Sequence, residues 1–323
     1  MISEDTLRRI AIRQIDTADT TFRITTREDT NDIQTSIERI GLLQPPVLQP
    51  LPAGYRVVCG FRRLLVLREL ARQRVTAVVL PHAADAFDCA RRAIADNALQ
   101  RTLNPIEQSR ALKLLADHMP DGLGLEREAA ALGLPSNPDL IAKLRELRRL
   151  DRSIQAGVLR GRISLAMALE LGACPGATAA RLVDLFETLR LGLNRQREVL
   201  LLLREVAARE DRSLEEILAD AAMQPLLETE TEGAPAAAGR LLDGLRRRRF
   251  PEITRKTGEL EQKIAALDFD PGIRLSAPPD LESPLWRLTF SFQTAKELQR
   301  RLQNALEMSR DPRLKSILEL EDD

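Results

Sequence analysis

Between residues 22 and 80 the apolar positions come in short runs separated by amphipathic stretches. Residues 32–40 carry helical spacing, 46–49 and 55–59 are apolar runs of strand length, 62–71 is helical again and 75–80 is a third β-rich run. Gly41, Pro45, Pro50 and Gly54 punctuate them, and the alternation predicts a small α/β domain. From Ala84 the pattern changes to one helix after another, broken at Pro105, Pro120, Gly133, Pro138, Gly157, Gly161 and Pro175. Asn104-Pro105-Ile106-Glu107 predicts a helix start, with Asn as cap, Pro at the first helical position and Glu in the first turn; the helix extends to about His118. Residues 195–209 place Val199, Leu202, Leu203 and Val206 on one side of a longer helix, a stripe for packing.

Residues 229–239 are small, acidic and breaker-rich, which predicts a linker. Beyond it come a basic helix from Arg240, a loop with Pro271, Pro278 and Pro279, a strand and a final helix. In that strand Trp286, Leu288, Phe290 and Phe292 alternate with Arg287, Thr289 and Ser291, which predicts one buried face and one wet one. A single strand of this kind needs a partner, either 273–276 or a second subunit. The expected fold is α+β and predominantly helical. Its expected layout is an N-terminal segment 1–21, an α/β domain 22–103, an all-helical domain 104–228, the linker 229–239 and a small α/β C-terminal module 240–323.

Composition agrees with this layout. Of 323 residues 44% are hydrophobic, 30% charged and only 3% aromatic, so a soluble, mostly helical chain with few strands is expected, and its length calls for two or three cores. Lys plus Arg and Asp plus Glu are 48 each, so any affinity for nucleic acid must come from a local patch rather than bulk charge. Cys59, Cys89 and Cys174 lack metal-ligand spacing and a disulfide pattern, and read as reduced thiols. The start, MISEDTLRRI, has no apolar h-region and no leucine run reaches spanning length, so a cytoplasmic chain without membrane contact is expected. His82 and His118 are isolated, and no Ser/His/Asp set can be assembled.

Candidate chemistry lies in three segments. In Val58-Cys59-Gly60-Phe61-Arg62-Arg63-Leu64 a glycine follows a strand, letting backbone approach a ligand closely. Two arginines then open a helix beside its positive end, and phosphate is the natural guest. Taken alone, Arg62 and Arg63 read more readily as solvated helix residues, and Asp96-Asn97 as a surface turn or cap; taken in context, Asp96 and Asn97 add oxygen ligands of the type that hold Mg²⁺ against phosphates, and the reading turns toward a pocket. The other two segments are Ser36-Ile37-Glu38-Arg39-Ile40-Gly41-Leu42-Leu43-Gln44-Pro45-Pro46-Val47 and Asp96-Asn97-Ala98-Leu99-Gln100-Arg101-Thr102-Leu103-Asn104-Pro105-Ile106-Glu107. In order and spacing the three resemble the ParB family, whose corresponding patterns are SIxxxGxxQP, GERR and ENLQREDLNPIE. The resemblance spans roughly 22–218.

That resemblance implies a pocket for CTP and Mg²⁺, with Gln44, Gly60, Arg62, Arg63 and Asn97 at the nucleotide and Asp96 with Asn97 at the metal. Its occupancy would close a homodimer around double-stranded DNA, with slow hydrolysis resetting it. It also implies a role in plasmid or chromosome partition, association with the nucleoid and a ParA-like ATPase partner. The sequence departs from the family at Phe61, where the family has a glutamate tied to nucleotide turnover, so a CTP binder with impaired hydrolysis is expected, a weak CTPase at most. Ungapped, the third segment puts Leu99 and Gln100 where the family has Gln and Arg, whereas a slip of one residue restores Gln100-Arg101. Sulfiredoxins share the small fold, but their reactive cysteine follows the glycine; Cys59 precedes it, at the end of a strand, and reads as a buried structural thiol.

Residues 125–134 and 136–147 read as helix, turn, helix, with Ala129 at the crossing, Gly133 in the turn and Leu140 and Leu144 toward the core. Either this hairpin only packs, or it binds DNA through Asn137, Lys143, Arg145, Arg148 and Arg149, against the repulsion of Asp139. The stretch from Gly161 to Ala168 is similar to the family's GxIsxghA, with Met167 where His is common. The run Arg246-Arg247-Arg248-Arg249 is a solvated face or a non-specific DNA contact. A nucleotide-independent transcriptional regulator or adaptor on the same fold is the alternative to a partition protein.

Overall fold

The computed structural model describes residues 6–227, 233–277 and 285–318, and the chain divides into two compact units, Met1–Arg197 and Glu198–Asp323. The first unit opens with β1 (Thr6–Ala11) and β2 (Ile15–Asp16), then α1 (Asn31–Ile40), β3 (Val47–Leu51), β4 (Gly54–Cys59), α2 (Phe61–Glu69), β5 (Arg74–Val79) and α3 (Ala86–Ala98). The strands form one mixed sheet in the order β1-β5-β3-β4-β2. β3 and β4 are an antiparallel hairpin closed at Leu51 and Gly54, and β5 pairs parallel to β3 and antiparallel to β1. Leu48, Val57, Leu64, Val66 and Ala77 are fully buried beneath the sheet.

Within the expected N-terminal segment 1–21, the described residues 6–16 are therefore not separate from the α/β domain: Thr6–Ala11 forms the edge of the sheet, and Ile10, Ile12 and Ile15 enter its core. Leu7 is exposed and Arg8 and Arg9 lie outside, so β1 has no period-two signature. What holds it is backbone pairing with β5, which leaves no trace in side-chain pattern.

The same unit continues through α4 (Pro105–His118), α5 (Leu125–Ala131), α6 (Pro138–Leu147), α7 (Arg152–Leu159), α8 (Leu165–Leu171) and α9 (Gly176–Thr188) into α10 (Leu193–Glu210), which crosses the division. Asn104 and Glu107 form a reciprocal capping box at α4, as their spacing predicts. Phe22, Ile24, Cys59, Cys89 and Ile94 share one core with Leu112, Leu115, Ala129, Ile141 and Leu144. The expected boundary at 103/104 is thus crossed by continuous packing.

The second unit holds α11 (Leu214–Leu218), α12 (Gln224–Leu227), α13 (Gly233–Arg249), α14 (Pro251–Ala265), β6 (Ile273–Ser276), β7 (Arg287–Phe290), α15 (Ala295–Met308) and α16 (Pro312–Leu318). The predicted linker differs here: 233–239 is the first part of α13, and Ala237 and Ala238 are buried. Small residues that look like a flexible tether also permit close helix packing, and composition cannot separate the two. Residues 229–232, Pro278 and Pro279 lie outside the described residues. β7 finds its partner in β6, with Ile273 opposite Phe290. The expected dry face is not dry: Leu288 is 40% and Phe292 50% exposed, and Trp286 and Phe290 are half-buried. The core of this module is instead Leu260, Leu267, Met308, Leu314 and Ile317.

Candidate nucleotide pocket and helix-turn-helix

Gly60 joins β4 to α2 in the left-handed region, at φ +91°. A Cβ there would lie 3.0 Å from Pro46 Cβ and 3.2 Å from Arg63 Nε, so both conformation and space require glycine. The tight turn puts Arg62 and Arg63 in the first turn of α2, facing a cavity of about 630 Å³. Across it stand the loop after α1, with Gln44, and the end of α3, with Asp96 and Asn97. All the residues expected at the nucleotide and metal thus line one cavity, although Gln44 is 52 residues before Asp96 in the chain.

Each arginine already has partners. Arg62 donates from Nε to the Asp29 carbonyl (3.0 Å) and pairs with Asp32 (2.9 Å). Arg63 donates to the carbonyls of Gln44 (2.7 Å) and Pro45 (3.3 Å) and reaches Asp96 at 3.4 Å. The Asn97 amide nitrogen donates to Ala93 O within its own helix at 3.0 Å, which leaves its oxygen as the group available to a cation. Asp96 with the Asn97 oxygen fits a Mg²⁺ held mainly by phosphates and water. Among the described residues no three His, Cys, Asp or Glu side chains converge on a metal-sized site. Phe61 lines the cavity and packs against the cores on both sides of it, so an apolar ring rather than an ionisable group stands beside Gly60.

The far wall was only partly legible in the sequence: Ser36, Gln100 and Arg101 lie in the segments that carry the resemblance, whereas Thr25 and Arg27 lie outside them. Thr25, Arg27, Ser36, Gln100 and Arg101 also line the cavity. Behind them Glu107 is fully buried and accepts from Arg101 (2.6 and 2.8 Å), the Thr26 N–H (2.9 Å), the Thr26 hydroxyl (3.2 Å) and the Asn104 N–H (3.2 Å). Burial alone would raise its pKa; the Arg101 guanidinium and the two backbone donors outweigh that and hold the carboxyl at about 2. Capping spacing identified Glu107 as a helix starter, but nothing in the sequence ties it to Thr25, 82 residues away. Gln100 and Arg101 both reach the cavity, and Arg101 is spent on Glu107.

Cys59 is buried at the end of β4, and burial pushes its thiol up to about 12; Cys89 is likewise raised, to about 11. Neither supplies a thiolate near neutrality.

The helix-turn-helix is formed by α5 and α6, with Gly133 in the turn at φ +71° and Ala129 fully buried at the crossing. α6 begins at Pro138, and Asn137 is its cap: the side-chain oxygen accepts from the Leu140 N–H at 3.0 Å. Ile141, Leu144 and Leu147 are buried, which leaves Lys143, Arg145, Arg148 and Arg149 on the outer face; Arg149 pairs with Glu146 at 3.3 Å. The Ser109 hydroxyl of α4 donates to Leu144 O at 2.5 Å, fixing α6 against the helix that Glu107 starts. The arginine run is partly solvated and largely ion-paired: Arg246 and Arg247 are exposed and Arg248 and Arg249 partly buried. Arg246 pairs with Glu198 and Asp243, Arg248 with Glu210 and Asp220, and Arg249 with Glu205, so most of its charge is neutralised within its own unit. No helix among the described residues is long and apolar enough to cross a membrane.

Residues 1–97 match the family described as ParB N-terminal domain. The chain is similar to the probable chromosome-partitioning protein ParB of Chlamydia pneumoniae, 29% identical over 173 residues that make up 52% of this chain and 59% of that one. It is also similar to the chromosome-partitioning protein Spo0J of Thermus thermophilus, 30% identical over 146 residues, 45% of this chain and 51% of the other. It spans about half the length of the curated relatives it matches. Among solved structures it is similar to the C-terminally truncated ParB of Caulobacter crescentus complexed with CTP-gamma-S (23% identity, 56% of this chain, 98% of that chain, TM-score 0.27). The same protein complexed to the centromeric parS site gives 22% identity, 55% and 91% coverage and a TM-score of 0.35.

Proposed function

Because residues 1–97 match the ParB N-terminal domain family, we propose that this chain is a DNA-binding protein of the partition type that takes CTP into the cavity at Gly60–Arg63 and turns it over poorly or not at all. The observation that carries this reading is the convergence of Gly60, Arg62, Arg63, Asp96 and Asn97 on one cavity in the same compact unit as the α5–α6 hairpin. Cationic donors at a helix start, an acid-amide pair opposite and a glycine that admits close approach suit a triphosphate with Mg²⁺. Bound there, Mg²⁺ would offset phosphate charge. Asp96 and Asn97 are the residues that would hold it, while Arg62 and Arg63 orient the phosphates. Phe61 supplies no general base, which is why turnover is expected to be impaired.

Lys143, Arg145 and Arg148 carry the phosphate contacts of α6 to double-stranded DNA, and Asn137 orders the start of that helix. Homodimerisation through the C-terminal module is supported by its exposed large apolar side chains, among them Leu288, Phe292, Leu302 and Leu306, all at least 40% exposed. Placement on the nucleoid and a ParA-like ATPase partner follow from kinship alone.

The decisive test is crosslinking of radiolabelled CTP to the purified chain. Labelling above a heat-denatured control, reduced in Arg62→Ala, is the expected result; labelling no better than that control rules out the pocket. A second reading, a nucleotide-independent regulator or adaptor, is favoured by Phe61 and by the internal partners of Arg62, Arg63 and Arg101. It predicts that CTP leaves the rate of dissociation from closed DNA unchanged, whereas a CTP-gated clamp predicts slower release.

A further inference from the structure

Four guanidinium groups line the cavity, those of Arg27, Arg62, Arg63 and Arg101, and they differ in what they must give up to meet an anion. Arg101 is bound to Glu107, whose side chain is 0% exposed. Drawing Arg101 away would strand a buried carboxylate, a costly exchange. Arg63 faces Asp96, 28% exposed and itself available to a cation. Arg62 faces Asp32, 70% exposed, which water can serve as well as the arginine does. Arg27 is exposed, and its guanidinium has no hydrogen bond or ion pair among the described residues.

Arg27 is also well placed. The segment 25–32 that carries it is tied at both ends, by Thr25 and Thr26 to Glu107 and by Asp29 and Asp32 to Arg62. The Arg27 N–H donates to the Thr25 hydroxyl at 3.2 Å, so the backbone is held while the side chain stays free at the rim. We infer that Arg27 is a phosphate-binding residue of this cavity, the cation a nucleotide's phosphates engage at least cost, and that Arg101 does not join it but remains the structural counter-ion of Glu107. This rests on the nucleotide reading of the site and names a ligand outside the three segments that carry the family resemblance.

Titration of the full chain with CTP, cytidine and inorganic tripolyphosphate tests it, with melting temperature followed in parallel. Arg27→Ala is expected to weaken CTP and tripolyphosphate by about five- to tenfold, the scale of one charge-assisted contact, while cytidine binding and melting temperature stay unchanged. Arg27→Lys is expected to recover part of the loss, and Arg27→Gln, which keeps a polar side chain but removes the charge, to behave as Arg27→Ala. If CTP binds the wild-type chain and Arg27→Ala within twofold of each other, the inference falls and the nucleotide reading stands. An equal loss for cytidine also overturns it, because Arg27 would then act on the nucleoside. A wild-type chain that binds neither CTP nor tripolyphosphate overturns both.

Discussion

At the scale of single residues, the sharpest consequence concerns Glu107. Its folded pKa, about 2, lies below the ordinary value of 4.5 because Arg101 and two backbone N–H groups stabilise the anion against its burial. The stabilisation is therefore complete above the ordinary value and is lost as pH falls from about 4.5 toward about 2. Urea unfolding at several pH values is expected to show stability declining through that window. Glu107→Gln should flatten that decline and, at pH 7, cost about 3 kcal/mol by leaving Arg101 without its counter-charge. An unchanged acid limb in the variant would mean that other carboxylates govern it. The expected pocket was incomplete for a related reason: motif spacing points to Arg62, Arg63, Asp96 and Asn97 and leaves the register of Gln100-Arg101 open, whereas Arg27 enters through a segment that pattern alone does not bring to the cavity.

At the scale of elements, α6 separates two roles that sequence merges. Asn137 is polar and begins a helix, so it reads as a DNA contact, but its side chain serves as the cap. Asn137→Ala is expected to cost about 1 kcal/mol of stability, measured by thermal unfolding. Lys143→Ala, Arg145→Ala and Arg148→Ala should leave stability nearly unchanged and weaken DNA binding, each lowering the slope of log affinity against log salt by about 1. Arg149, paired with Glu146, should matter less. A set of variants with no effect on the salt slope would reduce α5–α6 to a packing hairpin. The edge strand β1 shows the converse limit: it belongs to the sheet through backbone hydrogen bonds, and its side chains carry almost no sign of that.

At the scale of the whole molecule, charge and apolar surface are distributed differently from what their runs along the chain suggest. The Arg246–Arg249 cluster, the densest basic stretch, is largely absorbed by Glu198, Glu205, Glu210 and Asp220, so it adds little free positive charge for DNA. The alternating stretch at 286–292 leaves Leu288 and Phe292 exposed, and Leu302 and Leu306 of α15 are exposed as well. Sedimentation analysis of Leu288→Asp with Phe292→Asp is expected to convert a dimer to monomers with the N-terminal unit still folded. A wild-type chain that sediments as a monomer would remove the need for a partner on that face.

Helical content, the strand–helix alternation of 32–80, the α4 cap and the glycine turn before paired arginines were all determined by sequence, because each depends on local periodicity or on a backbone conformation that few residues can adopt. Only the tertiary structure decided that the first strand completes the sheet, that one core runs from Phe22 to Leu144, and that 233–239 is helix rather than tether. It also decided which arginines already have counter-charges. Pairing and burial depend on what lies opposite in space, often tens of residues away, and neither spacing nor composition records that.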